Sequence, residues 1–197
     1  MTQLRLHARD AAALARLIER RSARLARPYV VALDGRSGAG KSTLARRLAE
    51  LLDAVVLEGD DFFAGGVVVR SDTPRDRARD CIDWRRQRPV LESLRAGREA
   101  SYVAFDWESF DDRLESEPRR RAPRAAVVFE GVYSARPELG DLIDLRVLLH
   151  VSDETRIARL IAREGTIGPW ERQWHEAEEW YFAHVATPAL FDVIVDA

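Results

Sequence analysis

Cysteine is almost absent from this sequence: Cys81 is the only one in 197 residues. A single thiol closes no intrachain disulfide and leaves no cysteine pair for a structural zinc, so a reducing, cytoplasmic setting is expected. An excess of one charge is also missing. With 31 basic and 33 acidic side chains the net charge is −2, which provides no global field for a nucleic-acid duplex or an anionic membrane. Long apolar runs are lacking at the start, where arginines interrupt every apolar stretch of MTQLRLHARDAAALARLIERRSARLARP. This segment reads as neither a signal peptide nor a membrane span, and a soluble, intracellular protein is expected. There is no internal repeat and no low-complexity linker. Lysine is the most informative scarcity: Lys41 is the only one, every other basic side chain being arginine.

A chain of this length with 46% hydrophobic residues is sized for one domain with a substantial core. Short continuous apolar runs alternate with stretches of helical spacing, the pattern of an α/β fold. Tyr29–Leu33, Ala54–Leu57, Ala125–Phe129, Leu145–Val151 and Val193–Val195 read as buried strands, short enough for a parallel sheet. Leu14, Leu17, Ile18 and Leu25 place an N-terminal helix over 8–27. Leu44, Leu48, Leu51 and Leu52 mark a second helix, and Thr155–Arg163 and Glu171–Val185 two more. The expected organisation is a single domain over 1–197, with a core at 28–63 and 125–197 and an insertion at 64–124. That insertion is rich in Arg and Asp, with Pro74, Pro89, Pro118 and Pro123 as breaks.

Between the first of these strands and the second helix lies Gly35-Arg36-Ser37-Gly38-Ala39-Gly40-Lys41-Ser42, which fits G-x-x-x-x-G-K-[ST]. Glycines let successive N–H groups converge on phosphate oxygens, and the following helix adds its positive end. Gly35, Ser37, Gly38, Ala39, Gly40, Lys41, Ser42 and Thr43 are the expected nucleotide-binding residues, for ATP with Mg²⁺. Lys41 would meet the β- and γ-phosphates and Ser42 the metal. A forked guanidinium cannot replace a compact ammonium inside such a loop, which accounts for the one lysine.

Carboxylates must then distinguish a kinase from a switch. The second strand runs into Glu58-Gly59-Asp60-Asp61-Phe62-Phe63, and the C-terminal ends of parallel strands open on the ligand crevice. Adjacent extended residues point to opposite sides, so one of Asp60 and Asp61 faces the phosphates and the other is expected to be solvated. Glu130, at the end of another strand, can hold a metal-bound water as a Walker-B acid does, or simply accept loop N–H bonds. Arg156, Arg159 and Arg163 fall within about 60° of one another on a helix. They form a cationic stripe, either a lid over the phosphates or a solvated face.

Asp34-Gly35 through Thr43, Asp60-Asp61-Phe62-Phe63, Val128-Phe129-Glu130-Gly131 and Thr155-Arg156 through Arg163-Glu164 together resemble the uridine kinase-like branch of the P-loop kinases, which also includes phosphoribulokinase and pantothenate kinase relatives. The match spans about Tyr29 to Asp196. It implies a P-loop NTPase fold: a five-stranded parallel core sheet, helices on both faces and a mobile helical lid. By resemblance to the family's D-x-F-Y, Asp60 rather than Asp61 is the general base and also lies near the metal. Ser42 and Glu130 belong to the metal site, and Arg159 and Arg163 contact phosphates, with Arg156 beside the acceptor. Asp83, Trp84, Arg85 and Arg88 resemble the acceptor-side segment, suited to a sugar or an acid, with packing the alternative for Trp84.

The departures lie where the acceptor binds. Phe63 replaces the family's tyrosine, Phe105 lies where a base-reading stretch is expected, and no histidine occurs between His7 and His150. Aromatic rings at Phe63 and Phe105 stack on a base or sugar but make no in-plane hydrogen bonds, so uridine is not expected to be the best acceptor. Trp170, Trp174 and Tyr181 read as core packing, and Arg119-Arg120-Arg121 as a solvated loop. The expectation is a phosphotransferase acting on a hydroxyl of a small molecule, a nucleoside or another polyhydroxylated acceptor. The rival is a nucleotide-dependent switch with slow hydrolysis, and a homo-oligomer is left open. Lys41→Ala removes the only loop lysine, so Mg-ATP is expected to raise the melting temperature of the wild type but not of the variant; equal thermal shifts would refute the loop's role.

Overall fold

Six strands, all parallel, form the central sheet in the order β1-β8-β7-β2-β6-β3. They are β1 (Leu4–His7), β2 (Tyr29–Asp34), β3 (Ala54–Glu58), β6 (Ala126–Glu130), β7 (Leu145–His150) and β8 (Val193–Asp196). The computed structural model describes residues 3–7 and 10–197. The five-stranded parallel core is present, and β1 extends it beyond β8. A four-residue edge strand with an arginine in it, Leu4-Arg5-Leu6-His7, lacks the continuous apolar run that marks the inner strands.

Side chains alternate across the sheet with period two, and each set meets its own layer of helices. Tyr29, Val31 and Leu33 of β2 join Leu145, Val147 and Leu149 of β7 under α1 (Ala11–Ser22) and α2 (Lys41–Leu51), which contribute Leu14, Ile18, Leu44 and Leu48. On the opposite face, Val30 and Ala32 pack with Leu57, Val127 and Phe129. The helices there are α3 (Pro74–Asp80), α4 (Trp84–Arg95) and α6 (Pro169–His184). Helix α1 ends well before residue 27, since Pro28 disfavours helix just upstream of itself, and Leu25 is exposed. Residues 8 and 9, placed in this helix by the sequence, lie outside the described residues.

The 64–124 segment is more ordered than its prolines imply. Pro74 begins α3 behind a Thr73 cap, and Pro89 lies inside α4, forgoing one helical hydrogen bond. Strands β4 (Ala100–Tyr102) and β5 (Arg119–Arg121) pair antiparallel, so the three-arginine run is a strand rather than a solvated loop. Asp144 fastens the base of the sheet. It accepts two bonds from Arg27 (2.7 and 2.8 Å) and one from the Val30 N–H (2.9 Å), tying the start of β2 to the turn before β7. Asp144→Ala strands a part-buried guanidinium and a backbone N–H, so about 2–4 kcal/mol of stability should be lost in urea denaturation. Nucleotide affinity should stay unchanged, because the phosphate loop lies at the other end of β2.

Candidate functional site

The chain leaves β2 and enters α2 through the glycine-rich loop. The strand that follows, β3, lies on one side of β2, and β7, which follows β6, lies on the other. This reversal opens a crevice at the C-terminal ends of β2, β3 and β6. Gly40 is left-handed (φ 100°) and caps α2. At Gly38 (φ 79°) an added Cβ would come 2.6 Å from the Arg156 carbonyl oxygen, so the loop is seated against α5 (Asp153–Glu164). Lys41 is buried, and its Nζ donates to the Arg36 carbonyl (3.2 Å) within the loop. Arg159 donates to the carbonyls of Gly38 (3.3 Å) and Ala39 (3.1 Å), so it braces the loop from outside.

Asp34 fixes the exit of β2. Its carboxylate is fully buried and accepts from the N–H groups of Gly35 (2.7 Å), Tyr133 (3.1 Å) and Ala135 (3.0 Å) and from the Tyr181 hydroxyl (3.0 Å). Burial pushes its pKa up to about 6, against the pull of these donors and of Lys41. Tyr133 is held at φ 70°, a strained conformation for a non-glycine residue, with its ring against Tyr181.

Glu58 and Glu130 pair in register at the ends of β3 and β6, and the chains then converge further. A Cβ on Gly131 (φ 144°) would stand 3.2 Å from Gly59 Cα and 3.6 Å from Asp60 Oδ1, so this glycine lets Asp60 approach the Glu130 turn. Burial raises the pKa of Glu130 to about 7, helped by the Asp60 charge and opposed by Lys41 and a hydrogen bond with Ser42. Asp60 is exposed to the cavity, and desolvation by the residues around it raises its pKa too, with Lys41 opposing. Two carboxylates with raised pKa values beside a serine hydroxyl form a hard-oxygen donor set whose repulsion a divalent cation would relieve, which suits Mg²⁺. Asp61 is not solvated. It is 3% exposed and accepts from Tyr102 (2.7 Å) and Arg119 (2.6 Å), which makes it a structural anchor for β4 and β5.

A cavity of about 350 Å³ adjoins Asp60 and Ser37. Of the residues expected there, Phe63, Asp60 and Arg163 line it; Arg163 also pairs with Glu164. The other expected acceptor contacts lie elsewhere. Asp83 caps α4 by accepting from the Arg85 N–H (3.0 Å), and Trp84 packs on the core with the Arg85 guanidinium over its ring. Phe105 is buried behind Phe63, edge-on at 5.0 Å between centroids. Arg156 is buried and bonded to Asp153. Arg88 is committed to Asp141 and Glu92 on the surface.

The wall comes instead from residues the sequence reading assigned to packing or passed over. Trp170 and Trp174 of α6 join Trp107 and Phe110 around Phe63, and Tyr133, His175 and Glu178 complete the lining. Burial pushes the Cys81 thiol in this wall up to about 12, so it is no nucleophile near neutral pH. A second cavity, of about 360 Å³, flanks the loop and is lined by Arg36, Ala39, His150, Asp153 and Phe182 among others.

Residues 31–180 match the family described as AAA domain. The chain belongs to that family. Among curated relatives it is similar to a uridine kinase of Ligilactobacillus salivarius, 23% identical over 159 residues that cover 70% of this chain and 67% of the relative. A uridine kinase of Deinococcus deserti is 26% identical over 152 residues, covering 70% and 69% respectively. A crystal structure from Silicibacter sp., provisionally named a fructose transport system kinase, superposes with a TM-score of 0.74 at 23% identity over 93% of this chain and 98% of that one. These relatives and neighbours bear out the resemblance to uridine kinase-like P-loop kinases, and with it a small-molecule kinase that uses a nucleotide. Among the described residues, no helix is long and apolar enough to cross a membrane.

The raised pKa of Glu130 has a definite sign in stability. A carboxyl that binds its proton more tightly when folded stabilises the fold below about pH 4.5, its unfolded value, and that contribution is lost as pH rises through about 7. Glu130→Gln should therefore flatten the loss of nucleotide-free stability between pH 5 and 8 by on the order of 2–3 kcal/mol in urea titrations, with Asp34 leaving a residual slope.

Proposed function

We propose that this kinase moves the γ-phosphate of Mg-ATP to a hydroxyl of a neutral, polyhydroxylated or nucleoside-like small molecule held in the aromatic cavity beside Asp60. The observation that supports this reading is the placement of Asp60, which lines the cavity while lying close to the Glu130 turn and within the field of Lys41. A carboxylate with a raised pKa is a better proton acceptor for a hydroxyl than an ordinary surface aspartate. Asp60 would orient and deprotonate the acceptor, with Lys41 neutralising the phosphates and Arg163 meeting charge as it develops on the transferring group. Ser42, Glu130 and Asp60 would hold Mg²⁺, which would offset the charge of the phosphates. The second cavity, on the flank of the loop, has the size for the nucleoside part of ATP.

Charge narrows the acceptor. Asp60, Glu164, Glu171 and Glu178 line the cavity against a single arginine, Arg163, so an acceptor carrying a carboxylate or phosphate is disfavoured. The aromatic wall favours a flat or partly apolar face, and His175 is a ring that donates or accepts in plane, a role the sequence reading found vacant. α5 and the Gly165–Gly168 connection would serve as the lid that excludes water. Steady-state kinetics on nucleosides, neutral sugars and acidic alcohols tests the assignment: neutral acceptors should stimulate ADP release and acidic ones should not. Asp60→Asn should lower turnover about 10²-fold with little change in ATP affinity and with a melting temperature at neutral pH that is unchanged or higher. Asp61→Asn should instead lower the melting temperature, because it breaks the bonds to Arg119 and Tyr102. The reverse pattern would transfer the base role to Asp61.

A further inference from the structure

Glu178 is a buried carboxylate in an unexpected place. It is 3% exposed, and among the described residues no basic side chain forms an ion pair with it. Both of its oxygens are engaged by one residue of the phosphate loop: the Ser37 N–H donates to Oε2 (3.0 Å) and the Ser37 hydroxyl donates to Oε1. An anion-binding loop thus has one of its own N–H groups already occupied by a protein anion. Glu178 also borders the acceptor cavity together with Asp60, and its charge is among those that raise the Asp60 pKa. The carboxylate therefore stands between the two halves of the reaction.

Physical consequences follow from charge and from donor count. Phosphate oxygens meeting the N–H groups after Gly38 and the start of α2 feel Lys41 and the helix dipole, and are little affected by Glu178. A terminal phosphate reaching Ser37 must displace a carboxylate and approach a like charge in a poorly solvated crevice. We propose that Glu178 is a positioning residue that holds Ser37 away from the γ-phosphate until an acceptor hydroxyl enters the cavity and offers its carboxylate another donor. Glu178 then orients the acceptor while the released Ser37 N–H and hydroxyl meet the phosphate, so that acceptor and triphosphate favour each other's binding and hydrolysis without an acceptor is suppressed. The acceptor half of this scheme rests on the function proposed above; the nucleotide half does not.

The test is calorimetric and uses no acceptor. Mg-ADP and the Mg complex of the non-hydrolysable β,γ-imido analogue of ATP are titrated into wild type and Glu178→Gln. The variant keeps the side chain's shape and one acceptor oxygen but loses the charge. Its affinity for the triphosphate analogue should rise about 10-fold while that for ADP stays within about twofold. Glu178→Ala, which removes the carboxylate altogether and leaves the Ser37 N–H and hydroxyl in place, should shift the same ratio in the same direction, and it carries the test if Glu178→Gln fails to fold. A purely structural bond would weaken both nucleotides together or leave the ratio unchanged, and either result overturns the proposal. Because no acceptor enters the measurement, its outcome is independent of whether the metabolite panel finds one.

Discussion

The buried carboxylate of Asp34 is the constraint on which the arrangement of this site depends. It gathers donors from the loop after β2, from the turn after β6 and from α6 into one fully buried cluster. Four donors satisfy both oxygens, so the cost of burying a charge is partly offset by hydrogen bonds that only the correct arrangement of three separate segments provides. Each segment carries part of the chemistry: the phosphate loop itself, Tyr133 in the cavity wall, and the helix bearing Trp174, His175 and Glu178. The strained backbone of Tyr133 persists because two of those bonds lie at and just after it.

A second economy of structure lies at Gly59 and Gly131. Parallel strands β3 and β6 end in register at Glu58 and Glu130, and two residues without side chains let the following turns nearly touch. Acidic groups are thereby crowded around Lys41, and burial raises both Asp60 and Glu130. Crowded like charges are a liability in the empty protein and an asset once a cation and a polyphosphate arrive. The same repulsion that destabilises the free enzyme at neutral pH would favour a metal–nucleotide complex.

The phosphate-binding half of the molecule was legible in the sequence because its signals are local. Glycine spacing, a lone lysine and an apolar strand ending in Asp34 each act over a few residues, and the inner strands announced themselves as continuous apolar runs. Five features were less legible. Edge strand β1 is short and half polar; β5 is made of arginines, and only its pairing with β4 and the bond from Arg119 to Asp61 reveal it as a strand. Asp61 is buried rather than solvated because period-two reasoning ends where β3 passes into a 3₁₀ turn over Gly59–Phe62, which turns Asp61 inward beside Phe62 and leaves Asp60 facing the cavity. Asp83 looked like a ligand because an exposed aspartate before an aromatic residue has the same composition as a helix cap. Phe105 is an aromatic in the right region, yet it supports Phe63 from behind.

Helix α6 explains why the acceptor half resisted reading. Trp170, Trp174, Ala177, Glu178 and Tyr181 fall at i, i+4, i+7, i+8 and i+11, one continuous face. An apolar stripe of that kind ordinarily means core, and Ala177 and Tyr181 are indeed buried. The interruption was the signal: a glutamate on the buried face needs donors, and the only reason to keep it there is a partner outside the helix. Its partner is Ser37, 141 residues earlier in the chain. One helix face therefore serves as cavity wall at Trp170 and Trp174, as a contact with the phosphate loop at Glu178, and as a donor to Asp34 at Tyr181. Any acceptor that moves the tryptophans moves a rigid element bonded to the loop at one turn and to the β2 exit at the next. For an acceptor bound as proposed against these tryptophans, selectivity and the state of Ser37 in the loop would be coupled through one rigid helix, a coupling that the loop sequence alone does not show.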